Sequence, residues 1–169
     1  MWESIRDFME MGGDVLILIA VVLTFMWLMI IDRFIYFATE HKQHVKAAIA
    51  QWEARQERKS WQAHRMREAL ISEVNLQATR YLNLIQACVA LCPLMGLLGT
   101  VTGMIAVFEV MSLLGTGNAR AMAAGVSRAT VPTMSGMVAA LSGVFISVYL
   151  QRRATAEVEV LGEHMTMDH

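Results

Sequence analysis

Three long apolar stretches, separated once by a highly charged segment and once by a short polar one, set the pattern of this chain. Val15 to Ile31 carries no charge, and apolar side chains continue through Phe34, Ile35, Tyr36 and Phe37. A helix needs about 20 such residues to cross the hydrocarbon core of a bilayer, so residues 15–37 are predicted as a first span. Residues 84–114 and 121–150 repeat the pattern and are predicted as the second and third spans. Only residues 115–120 lie between those two, a connection so short that spans two and three must be antiparallel neighbours. The predicted fold class is an all-α integral membrane protein, one domain over residues 1–169 with three transmembrane helices.

Residues 38–83 contain no Gly or Pro and are rich in Ala, Gln, Glu, Lys and Arg, all good helix formers, which predicts a helical hairpin. Val45, Ile49 and Trp52 recur at helical spacing in one arm; Ser60 is placed to cap a second arm containing Trp61, Met66, Leu70 and Val74. Two such arms would continue the membrane helices by roughly 30 Å, at about 1.5 Å per residue. Arg33, Lys42, Lys46, Arg55, Arg58, Lys59, Arg65, Arg67 and Arg80 fall between spans one and two, and Arg152 and Arg153 follow span three. Only Arg6 and Arg120 lie on the other side, so the bias of basic residues predicts an outside N-terminus, a cytoplasmic hairpin and a cytoplasmic tail over residues 151–169. The leading segment, residues 1–14, carries Glu3, Asp7, Glu10 and Asp14 and has no small-residue cleavage site, so the first span is expected to remain as an anchor. Trp2, Ile5, Phe8 and Met9 recur at helical spacing there; both a periplasmic helix lying on the membrane surface and a disordered leader fit.

Composition agrees with the pattern: 56% of residues are hydrophobic, 17% charged, and the formal net charge is −1. The absence of a basic stripe with interleaved aromatics excludes nucleic acid as an expected partner. Cys88 and Cys92 share one helical face within an apolar stretch and read as small packing residues. His41, His44 and His64 have no metal-ligand spacing, and no cofactor or metal is expected. No nucleophile and base pair emerges, so no enzyme is expected either.

Candidate chemistry sits in spans two and three. Gly96, Gly99, Thr100 and Gly103 recur at three- and four-residue steps, and Gly125, Ala129, Thr133, Gly136, Ala140, Gly143 and Ser147 repeat the device, so the two spans should approach closely. Arg128 stands out in the apolar third span, where a cation costs roughly 3 kcal/mol or more and is kept beside a partner, a water path or protein. Counting from the outer ends of the spans gives Glu109 a similar depth. Either the two form a buried pair that locks helix register, or Arg128 holds an acidic group of another subunit. Pro132 and Pro93 leave the carbonyls of Arg128 and Val89 without their helical donors and should bend their helices. Thr133 and its neighbours can relay protons or simply bond back to their own helix.

The strings PLMGLLGTVTGMIAVF from Pro93 and GTGNARAMAAGVSRATVPTMSGMVAALSG from Gly115 resemble the signature region of the ExbB/TolQ/MotA proton-channel family, in particular the short ExbB form of second TonB systems. The likeness is dense over spans two and three, about a third of the chain, and the topology agrees over the rest. It implies a homopentamer in the bacterial inner membrane, with transmembrane helices of a single-span ExbD-like subunit in a central pore. Proton flow would then drive motion passed to a TonB-like protein that opens outer-membrane transporters. Thr100 and Thr133 match the family's pore-facing threonines. One departure stands out: Arg128 occupies the place where the family commonly has a membrane glutamate. A guanidinium stays protonated and cannot carry the proton, so the resemblance implies a titrating carboxylate supplied by the partner or by Glu109.

The expected function is therefore the pore-forming subunit of a proton-driven motor. A TolQ-like role in envelope integrity keeps the same fold, as would a MotA-like stator, against which the short hairpin argues. A structural scaffold is the alternative from another class; under it, packing-compatible neutral replacements at Thr100 and Thr133 would leave function untouched. A passive channel fits less well, since a cation in the pore repels protons.

Overall fold

A computed structural model describes residues 2–54, 56, 57, 59–115 and 117–165. Arg55 and Arg58 of the charge count, Thr116 of the short connection, residues 166–169 of the tail, Met1 and the side chain of Phe8 lie outside the described residues. Among the described residues five helices follow one another and no strand occurs: α1 (Trp2–Thr39), α2 (His41–Glu53), α3 (Trp61–Thr79), α4 (Leu82–Leu114) and α5 (Ala119–His164). Among the described residues three helices are long and apolar enough to cross a bilayer, as expected of a multi-pass membrane protein.

Among the described residues, three are left-handed and punctuate the chain. Gly13, at φ 64 and ψ −159, interrupts α1 just before Asp14, a conformation that glycine adopts without the steric cost other residues bear. Gly115, at φ 78, closes α4 in the manner of a helix C-cap, its N–H donating to the Met111 carbonyl at 2.9 Å. Tyr81, at φ 65, separates α3 from α4 where the composition had suggested uninterrupted helix. A non-glycine residue there costs about 1–2 kcal/mol. The Tyr81 ring lies under the guanidiniums of Arg33 at 5.2 Å and Arg80 at 4.9 Å, cation–π contacts that offset the strain.

The chain forms two compact units, residues 1–27 with 86–145 and residues 28–85 with 146–169. In the first, α4 and α5 run antiparallel: Gly96 meets Thr133, Gly99 meets Pro132, Gly103 meets Ala129, Val107 meets Gly125, and Gly136 meets Cys92. A methyl group at Gly103 would sit 2.6 Å from the Ala129 Cα, and one at Gly136 2.5 Å from the Cys92 carbonyl oxygen, so both positions require a hydrogen. Val15 and Ile19 of α1 join Cys92, Ala139 and Ala140 in a small apolar core.

The second unit is built on larger side chains. Trp52 is 2% exposed and packs with Ala63, Leu70, Val74, Leu161 and Met165. Ser60 does cap α3, accepting from the Ala63 N–H at 3.2 Å. α3 contains Trp61, Met66, Leu70 and Val74 as expected, with Trp61 and Met66 73% and 38% exposed. The buried face of α3 runs through Ala63, Leu70, Val74 and Ala78, and the Trp61 ring lies under the Arg65 guanidinium at 5.2 Å. Arg67 of α3 donates through Nε to the Met165 carbonyl and through Nη2 to the Gly162 carbonyl, each at 2.8 Å, satisfying backbone acceptors at the end of α5. Arg33, 5% exposed, bonds Asp32 and the Gln77 carbonyl.

Candidate functional site

The close approach of α4 and α5 brings two hydroxyls together. Thr133 Oγ1 donates to the Gly96 carbonyl at 2.9 Å, Thr100 Oγ1 reaches the same oxygen at 3.3 Å, and the two hydroxyls also contact each other. Glycine at position 96 makes this possible, because a Cβ there would press on the Thr133 backbone at 3.0 Å. The pair is half-buried in the seam between the helices. Both α4 and α5 continue as helix through Pro93 and Pro132. Pro132 is buried, its ring seated over Gly99, while Pro93 is exposed. Gly143 faces the Met26 sulfur and Val89, giving α1 its own close contact.

One helical turn and a half from Thr133 along α5 stands Arg128. It opens onto a groove of about 390 Å³ whose walls are Gly13, Asp14 and Val15 of α1 and Gly99, Thr102, Gly103 and Ala106 of α4. Thr102 Oγ1 donates within its own helix, at 3.1 Å to the carbonyls of Leu98 and Gly99, which leaves its oxygen able to accept.

The depth expected for Glu109 needs correction. Because Ala129 packs on Gly103 and Gly125 on Val107 in antiparallel helices, Arg128 lies level with Met104, five residues from Glu109 and so about 7.5 Å away along the helix at 1.5 Å per residue. Counting from span ends missed this, since the α4–α5 register is set by where small residues let backbones meet. Glu109 and Arg128 are both exposed in the single chain and no ion pair joins them. The carboxylate that shares a groove with Arg128 is Asp14, which sequence reasoning had treated as one of several acids in the leading segment. Its signal was present: Gly followed by Asp before a long apolar run marks a helix start.

A second polar cluster belongs to the other unit. His41, 2% exposed, lies among the rings of Tyr36 and Phe37, with its Nε2 3.4 Å from Glu157 Oε2 and neither ring nitrogen hydrogen-bonded. Burial holds its pKa below the ordinary histidine value; Glu157 opposes that shift, and His44 and Arg153 reinforce it. No cluster of three or more His, Cys, Asp or Glu suited to a metal occurs among the described residues.

Residues 28–163 match the model of the MotA/TolQ/ExbB proton channel family. Among curated proteins, the chain is similar to biopolymer transport protein ExbB-like 3 of Synechocystis sp., 36% identical over 94 residues that cover 48% of this chain and 45% of that protein. It is also similar to ExbB-like 1 of the same organism, 38% identical over 66 residues, 37% of this chain and 26% of that protein. The matches thus span under half the length of either relative.

Proposed function

Since this chain belongs to the MotA/TolQ/ExbB proton channel family, we propose that it is a proton-channel subunit of the bacterial inner membrane that energises TonB-dependent transport across the outer membrane. The observation that carries the reading is the meeting of the Thr100 and Thr133 hydroxyls on the Gly96 carbonyl, a polar contact inside an otherwise apolar helical seam. Hydroxyls both donate and accept, so such a pair passes a proton by accepting one and releasing another. Each charge crossing 100 mV releases about 2.3 kcal/mol, and several protons per cycle supply useful mechanical work.

In this reading copies of the chain assemble, as a pentamer, around the single-span helices of an ExbD-like partner that carries the titrating acid. Arg128 is the fixed cation that engages that acid, since its guanidinium does not release its own proton. Glu109 stands nearer the outer end of α4, at the approach to the pathway. The α2–α3 hairpin and the end of α5 face the cytoplasm, in keeping with their basic residues. A TonB-like protein receives the motion.

The test is proton flux in liposomes containing the chain co-purified with its one-span partner. Replacing both Thr100 and Thr133 by valine, which keeps shape and removes the hydroxyls, should lower flux about tenfold or more, equivalent to about 1.4 kcal/mol of barrier. Serine at both positions should retain it. Unchanged flux in an assembled double-valine complex would leave only a scaffold. Deletion that abolishes iron-chelate uptake supports the TonB duty, whereas envelope leakage assigns the TolQ one.

A further inference from the structure

Asp14 and Arg128 carry opposite charges, line the same groove, and stand apart: neither makes a hydrogen bond or an ion pair with a described residue. That is unusual for each. An aspartate directly after a helix break ordinarily caps the new helix by accepting from the N–H groups two or three residues on, and Asp14 makes no such bond. A guanidinium in a spanning helix ordinarily keeps a partner. The left-handed turn at Gly13 sets Asp14 at the groove, and the floor of Gly99, Gly103 and Ala106 has no side chain large enough to obstruct a long arginine. Thr102 adds an acceptor along the way. Among the described residues no other charged one lines the groove, and Glu109 lies beyond it.

We propose that Asp14 is the intrachain counter-ion of Arg128, a positioning residue that receives the guanidinium when it leaves the acid of the partner helix. Arg128 then has two seats, one inside its own chain and one on the neighbour, and alternates between them as the partner's acid gains and loses its proton. The inference rests on the role proposed above for Arg128. It adds that α1 takes part in the cycle, through one carboxylate placed by one glycine.

The two seats give opposite signs in an experiment on the intact complex with its one-span partner. Asp14→Asn removes the intrachain seat, so proton flux should fall several-fold while the partner is retained through salt washes as well as or better than in the parent. Arg128→Gln removes both seats, so flux and retention should fall together. Asp14→Glu should restore at least half of the flux, and Asp14→Asn combined with Arg128→Gln should be no worse than Arg128→Gln alone. If Asp14→Asn lowers the yield of complex, Asp14→Glu and Asp14→Gln, matched in size, are compared for the same outcomes. Parental flux in Asp14→Asn or Asp14→Gln, or a double variant clearly below Arg128→Gln, overturns the intrachain seat while leaving Arg128 its role. Parental flux in Arg128→Gln would instead remove the reading on which this inference rests.

Discussion

The two compact units join their helices by different chemistry. In the first, α4 and α5 meet backbone to backbone, with glycine or alanine at the crossing points and hydroxyls bonded to carbonyls across the seam. In the second, a buried tryptophan fills the space between helices, and arginines reach across to carbonyl groups. Where lipid surrounds the helices, burying a large apolar side chain gains little, because the tails are as apolar as the protein interior; association then depends on close fit and internal polar contacts. Where water surrounds them, burial itself drives packing. The contrast makes the same type of substitution costly in one unit and harmless in the other.

The largest effect should come from Trp52→Ala, which empties the core of the second unit and should cost about 3–5 kcal/mol in chemical unfolding followed by helix content. Gly103→Ala comes next. Its new methyl would meet backbone atoms of Ala129 that cannot swing away, an overpacking cost of about 1–3 kcal/mol, read as lower thermal stability in detergent. Arg67→Met keeps the apolar stem and loses two charged hydrogen bonds, for about 1–3 kcal/mol and earlier proteolysis at the end of α5.

A smaller effect depends on pH. Folded His41 binds protons less readily than an ordinary histidine of pKa 6.5, so its contribution to stability is whole above that pH and is lost as pH falls below it, toward the depressed folded value. His41→Gln should flatten this part of the stability profile. The smallest change separates the units most cleanly: Gly162→Ala, whose methyl would find only ordinary contacts at 3.9 and 4.0 Å, should be neutral or stabilising by about 0.5–1 kcal/mol. A loss at Gly162 as large as that at Gly103 would break the distinction.

Much of this was legible beforehand. Unbroken apolar runs demand helices because a backbone in lipid must satisfy its own polar groups, and the steps of Gly96, Gly99 and Gly103 announced a close neighbour. The cap at Ser60 was equally readable. That Leu70 and Val74 are buried while Trp61 and Met66 are exposed was not legible, because spacing identifies a periodic face without saying which of its members the neighbouring helices reach. The relative depth of Arg128 and Glu109 was not legible for a related reason: residue counts from loop ends carry no information on how two helices slide past each other.

The amino-acid sequence by itself determined how many helices can cross the membrane, where small residues allow contact, and that a cation stands among apolar neighbours, because each follows from local composition and periodicity. Only the tertiary structure decided that Thr100 meets Thr133, that Arg128 lies level with Met104, and that Asp14 shares its groove. Those facts depend on the register between helices, which is set by the summed fit of many atoms far apart in the chain.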